Sequence, residues 1–151
     1  MELLIVEIDH AYVGVPTSDV REVVRATRIS PAPGGNANIK GLLNLRGTVV
    51  PVVAMRSLLG LEDRDIISTD HFVVLHTQST TFAVHVDRAV EILNVSDPIL
   101  NAADHTGTAS VSHADFGVVH IHRGCSLWTQ AGLPPSSGVR RIDQHESTSL
   151  P

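Results

Sequence analysis

The chain has 151 residues with sixteen acidic and eleven basic side chains, a formal net charge of −5, a single lysine (Lys40) and a single cysteine (Cys125). That balance argues against binding a phosphate backbone, and three Phe, one Tyr and one Trp leave few platforms for stacking bases, so no nucleic-acid partner is expected. One cysteine excludes an intramolecular disulfide, and the opening apolar run Leu3 to Val6 is too short for a signal core or a span, so a reducing, cytoplasmic setting without direct membrane insertion is expected.

Valine outnumbers leucine, and the β-branched excess reads as mostly strand. Leu3 to Ile8 and Ala11 to Pro16, separated by Asp9-His10, suggest an opening hairpin. Pro16-Thr17-Ser18-Asp19 offers helix-start chemistry before Val20, Val23 and Val24, whose spacing predicts a brief helix. Pro31 to Asn36, with two prolines and two glycines, is a loop.

Strand Ile39 to Arg46 then turns at Gly47-Thr48 and returns as Val49 to Ala54, apolar enough to predict burial on both faces. Pro51 lacks an N–H and belongs at a bulge or an edge, Ser57 to Gly60 closes the unit with a helical turn, and Glu62 to Asp65 reads as a solvated connector. A second hairpin joins Phe72–Thr77 to Thr81–Val86, with Phe82, Val84 and Val86 on one face and Ala83, His85 and Asp87 on the other, the alternation of a half-buried strand. Ala89 to Val95 is another strand ending at Asp97-Pro98, and Asn101 to Ser110 reads as a surface loop. Val111 to Ala114 and Val118 to His122 make a third hairpin. From Pro134 the apolar periodicity ends, giving a domain over 1–133 and a disordered tail over 134–151.

The most informative stretch is Ile39 to Leu61, where Arg46 stands between Leu45 and Gly47 in apolar surroundings and needs an acidic partner or another protein. Gly41, Asn44-Leu45-Arg46-Gly47, Val50-Pro51-Val52 and Arg56, with Val20-Arg21-Glu22 upstream, resemble the signature of the CheW-like family of chemotaxis coupling proteins. The resemblance implies an all-β fold of two interlocked five-stranded SH3-like barrels around a shared core, with strands from the chain ends completing opposite halves. It implies a non-enzymatic adaptor without cofactor, recruited to membrane receptor arrays, whose partners are the regulatory domain of a histidine kinase and the cytoplasmic tips of chemoreceptors. By the same resemblance Val20, Glu22, Arg46, Val86 and Val90 border a receptor groove, with an ion pair between Glu22 and Arg46, while Gly41, Gly47 and Pro51 shape the turn region.

Two positions depart from that pattern. Ala54 stands where the family's Val-Ile-Asp-Leu-Arg run has its acid, and His120-Ile121-His122-Arg123 replaces a Leu-Leu-Asp strand exit. They leave open a divergent scaffold of a non-chemotaxis kinase pathway serving motility or gene regulation. A second alternative is a metal-dependent enzyme using His120, His122 and Cys125, since residues two apart on a strand share a face. It lacks a fourth ligand, and no nucleophile elbow or phosphate-binding loop supports other catalysis.

Overall fold

The computed structural model describes residues 1–77, 79–96, 99–100 and 109–133. Gln78, the Asp97-Pro98 strand end, most of the 101–110 loop and the 134–151 tail lie outside the described residues.

Eleven strands are described: β1 (Glu2–Ile8), β2 (Ala11–Pro16), β3 (Val20–Arg25), β4 (Ile39–Leu45), β5 (Thr48–Val53), β6 (His71–Thr77), β7 (Thr80–Val86), β8 (Arg88–Asn94), β9 (Ile99–Leu100), β10 (Ala109–His113) and β11 (Gly117–Ile121). A 3-10 turn covers Thr17–Asp19, and two short helices are α1 (Met55–Leu58) and α2 (Gly124–Gln130). The middle of the chain forms a five-stranded sheet in the order β3-β6-β7-β5-β4. The chain ends form the other, β8-β1-β2-β11-β10-β9, whose sixth member is the two-residue β9. The N-terminal hairpin thus completes the C-terminal half, through the parallel pairing of β2 with β11.

Strand alternation distributes the apolar side chains among three cores. Leu3 and Ile5 of β1 pack with Val119 and Ile121 inside the six-stranded half. Leu4, Val6 and Ile8, from the opposite face, join Val73, Leu75, Phe82, Val84 and Val86 in a shared core between the sheets. Phe72, Val74 and Ala83 turn the other way and fill the five-stranded half with Leu43, Val50 and Val52. A run that is apolar at every position is therefore a strand that feeds two cores.

Several expectations are corrected. Val20, Val23 and Val24 belong to a strand, because pairing of β3 with β6 satisfies their backbone and suits their β-branched side chains. Residues Phe82 to Val86 are all buried, since β7 lies between β6 and β5 with a core on each face. Conversely β4 and β5 are not buried on both faces, with Val49 63% exposed beside the hairpin turn. The Glu62–Asp65 connector is tied down, as Lys40 Nζ binds Asp63 and the Arg64 carbonyl, each at 2.8 Å. Helix α2 has no counterpart among the expectations, although Leu127, Trp128 and Ala131 carry a helical spacing; all three enter the shared core, with Trp128 against Phe82 at 5.0 Å between ring centroids.

Gly41 and Pro51 lie within strands β4 and β5, and only Gly47 serves the turn. At Gly41 an added Cβ would stand 2.4 Å from the Ser30 carbonyl oxygen. That close approach lets Ser30 and Leu42 exchange backbone hydrogen bonds of 2.9 and 2.7 Å, which join the segment after β3 to β4 and close the five-stranded sheet on itself. Pro51 sits just before Val52 and Val53, where β5 begins to pair with β7.

Candidate functional site

The β4–β5 connection is a two-residue turn, since Leu45 pairs directly with Thr48. Arg46 at φ 51° and Gly47 at φ 89° both occupy the left-handed region, the pattern of a type I′ hairpin. Asn-Gly is the usual occupant of such a turn, so an arginine at its first position accepts backbone strain. Asn44 compensates by accepting the Gly47 N–H at 2.8 Å through its side-chain oxygen.

The arginine reaches across the barrel mouth to β3, where its guanidinium donates to the Glu22 carboxylate. Arg46 remains 69% exposed and Glu22 27% exposed, so the pair lies at the surface and not in the buried setting its neighbours suggest. The hydrogen bond and charge of Glu22 raise the Arg46 pKa. A bulge between Val20 and Glu22 aims the two residues differently. Val20 faces Leu75 and the shared core, while Glu22 faces Val74 and the interior of the five-stranded barrel.

The other two valines of the predicted groove lie elsewhere. Val86 is 1% exposed and pairs with His71, whereas Val20 pairs with Leu75. Those β6 positions are four residues apart, about 13 Å along the strand. Val90 falls at the register shift between β8 and β1 and packs on the core of the six-stranded half. The structure therefore joins Glu22 to Arg46 beside Val20 and leaves Val86 and Val90 apart from them.

At the opposite end of the five-stranded barrel lies a charge cluster that the sequence reading missed. Arg64 holds Asp70 with both terminal nitrogens at 2.8 Å and reaches Asp87 at 2.9 Å. Arg56 donates to the same Asp87 carboxylate at 3.0 and 2.9 Å, and Asp87 accepts the Asp9 N–H at 2.9 Å. His85 lies 2.7 Å from Asp70 through Nε2, both side chains being nearly inaccessible. Burial raises the Asp70 carboxyl, but Arg64, the Ile67 N–H and His85 together bring it well below the usual carboxylate range. Asp87 is lowered for the same kind of reason, with the Asp9 N–H and Arg56 overcoming burial. The signal available in sequence was Arg56, the lone charge in the otherwise uncharged run 47–61, and the HVD run at 85–87 at the end of a strand.

The metal-ligand reading fails on geometry. Strand β11 ends at Ile121, so that His120 is exposed while His122 is buried, and Cys125 is exposed on α2. Among the described residues no three His, Cys, Asp or Glu side chains are grouped to hold an ion. Nor is any described helix long and apolar enough to cross a membrane.

Two small barrels sharing a core, with the Glu22–Arg46 pair at one mouth and the charge cluster at the other end of the five-stranded barrel, give the chain the architecture of a paired β-barrel domain. Residues 2–124 match the CheW-like domain, and the chain belongs to that family. It is 27% identical over 112 residues to "Chemotaxis protein CheW" of Thermotoga maritima, covering 72% of this chain and 74% of the relative. It is 22% identical over 122 residues to the protein of the same name from Treponema pallidum, covering 78% and 72%. Among solved structures, the scaffolding protein TtCheW from Thermoanaerobacter tengcongensis superposes with a TM-score of 0.70 at 19% identity, over 80% of this chain and 82% of that one. This likeness supports the two-barrel fold.

Proposed function

We propose that this chain is a chemotaxis signal-transduction adaptor that couples the tips of membrane chemoreceptors to the regulatory domain of a histidine kinase by protein–protein binding. The observation that carries the reading is the exposed Glu22–Arg46 pair, built on a strained turn whose arginine contributes little to packing. A residue held at a conformational cost in the open is best explained by what it binds. Family membership and the relatives' names support the setting. In this reading the receptor tip docks over Glu22 and Arg46 beside Val20.

Signal then passes as a difference in binding free energy between receptor states, with no bond made or broken in this chain. Calorimetric titration with the kinase regulatory domain from the same organism tests the adaptor role, with Arg46→Ala as the control for the receptor face. Binding by both proteins supports the reading. Failure of the folded wild type to bind turns it towards the divergent scaffold that Ala54 and His122 left open.

A further inference from the structure

Below the β3 end of the five-stranded barrel the structure opens a cleft of about 450 Å³ between the segment after β3 and the connector before β6. Its floor is Ile29 and Ile66, both anchored in the core of that barrel. Ile67 stands on the rim and is 53% exposed, one of the largest apolar exposures described. The walls are fixed in advance: the Ser30–Leu42 bridge holds one side, and the buried Asp70 holds the other by accepting the Ile67 N–H at 3.0 Å. A site built this way requires little ordering to receive a ligand.

The charge on the cleft's lining is the reverse of the molecule's. Arg28 lines it, and Arg25 reaches its edge by donating to the Ser68 carbonyl at 3.3 Å. Among the described residues neither guanidinium has a carboxylate within ion-pair distance, whereas Arg46, Arg56, Arg64 and Arg88 all have one. An apolar slot with two uncompensated guanidinium groups at its lip, on a chain of net charge −5, complements an aliphatic side chain flanked by carboxylates.

We propose that this cleft is a docking site for an acidic segment of a partner protein that inserts a leucine- or isoleucine-sized side chain between Ile29, Ile66 and Ile67, with its carboxylates on Arg25 and Arg28. Arg25 and His71 pair at this end of the sheet, away from the Glu22–Arg46 turn, so the site is separate from the surface assigned above to receptors. It allows two proteins to be held at once. Its test does not depend on the identity of either partner.

The probe is a blocked peptide, Ser-Glu-Leu-Glu-Ser, titrated into the whole 15N-labelled chain and followed by amide chemical shifts. The expected result is movement concentrated in residues 26–29 and 66–68, at least tenfold weaker in Ile67→Asp and in Arg28→Glu, and retained in Arg46→Ala. The amide spectrum of each variant also reports whether it is folded. A counterpart with lysine in place of glutamate should leave those amides unmoved. Absence of shifts at millimolar peptide overturns the proposal, as does equal binding of the lysine peptide or movement centred anywhere else.

Discussion

Arg64 grips Asp70 through two parallel hydrogen bonds of 2.8 Å, and the carboxylate it holds is 1% exposed. Removing the guanidinium leaves Asp70 with only His85 and the Ile67 N–H to offset its burial. We expect Arg64→Ala to cost about 3 kcal/mol, the lower end for a broken buried pair because Arg64 itself is partly open to water. Urea denaturation measures it. A loss within the noise of the midpoint would mean that water replaces the guanidinium freely.

The same cluster sets the pH dependence. Asp70 and Asp87 have folded-state pKa values below their ordinary ones, so as pH falls the unfolded chain takes up protons first. Their stabilisation is complete above about pH 4 and drains away below it. Burial lowers His85 against the pull of Asp70, so the unfolded chain again protonates first, here below about pH 6.5. The midpoint in urea should therefore decline gently from about pH 6.5 and steeply below about pH 4. His85→Gln should flatten the first decline and spare the second. A variant that keeps both slopes unchanged would assign the upper one to another group.

Arg46 and Glu22 should behave in the opposite manner to Arg64 and Asp70. Both are open to solvent, and exposed pairs contribute little to stability. We expect Arg46→Ala to leave the thermal midpoint almost unmoved while weakening binding to a receptor tip by about tenfold. Charge reversal of both, Arg46→Glu with Glu22→Arg, should restore the pair but not the binding. If instead the single variant loses stability and keeps its affinity, the pair belongs to the fold and not to recognition.

What was legible in the sequence follows from where the information is local. The hairpins β1–β2, β4–β5 and β10–β11 announce themselves through turn residues between apolar runs, and the two-barrel arrangement came from a signature and not from periodicity. The valines of β3 were misread because three residues at helical spacing also fit a strand once a bulge shifts the register. The charge cluster was unreadable for another reason. Asp9, Arg56, Arg64, Asp70 and Asp87 are scattered through the chain and meet only when the β1–β2 turn, α1 and the connector converge. Of the five residues assigned to one groove, the two charged ones are joined because a turn and a strand edge face each other, whereas Val86 is separated by its place in the ladder.

Gly41 supplies a prediction about backbone closeness. It lacks a positive φ, so alanine is conformationally acceptable there, yet its Cβ would sit 2.4 Å from the Ser30 oxygen and 2.9 Å from Ile29 Cδ1. The backbone must separate. Gly41→Ala should destabilise by about 1 to 3 kcal/mol, with faster hydrogen exchange at the Ser30 and Leu42 amides than at the rest of β4. Uniformly faster exchange would mean that the bridge is not the weak point.

Ala54 offers the one substitution expected to stabilise. It occupies the N-cap of α1, fully buried, and has no side-chain oxygen to accept from the amides of the first turn. Two residues on, Arg56 Nε is buried without a hydrogen-bond partner among the described residues, although the terminal nitrogens of that guanidinium bind Asp87 and approach Asp9. An acid at position 54 would cap the helix start and add negative charge near an incompletely satisfied cation. We expect Ala54→Asp to gain about 1 kcal/mol, read as a higher urea midpoint. Ala54→Asn separates the two causes, because it caps without charge. Equal gains assign the effect to the cap, and a gain from aspartate alone assigns it to Arg56. Destabilisation by both would show that the closely packed site cannot admit the larger side chain, and that the alanine is held there by packing.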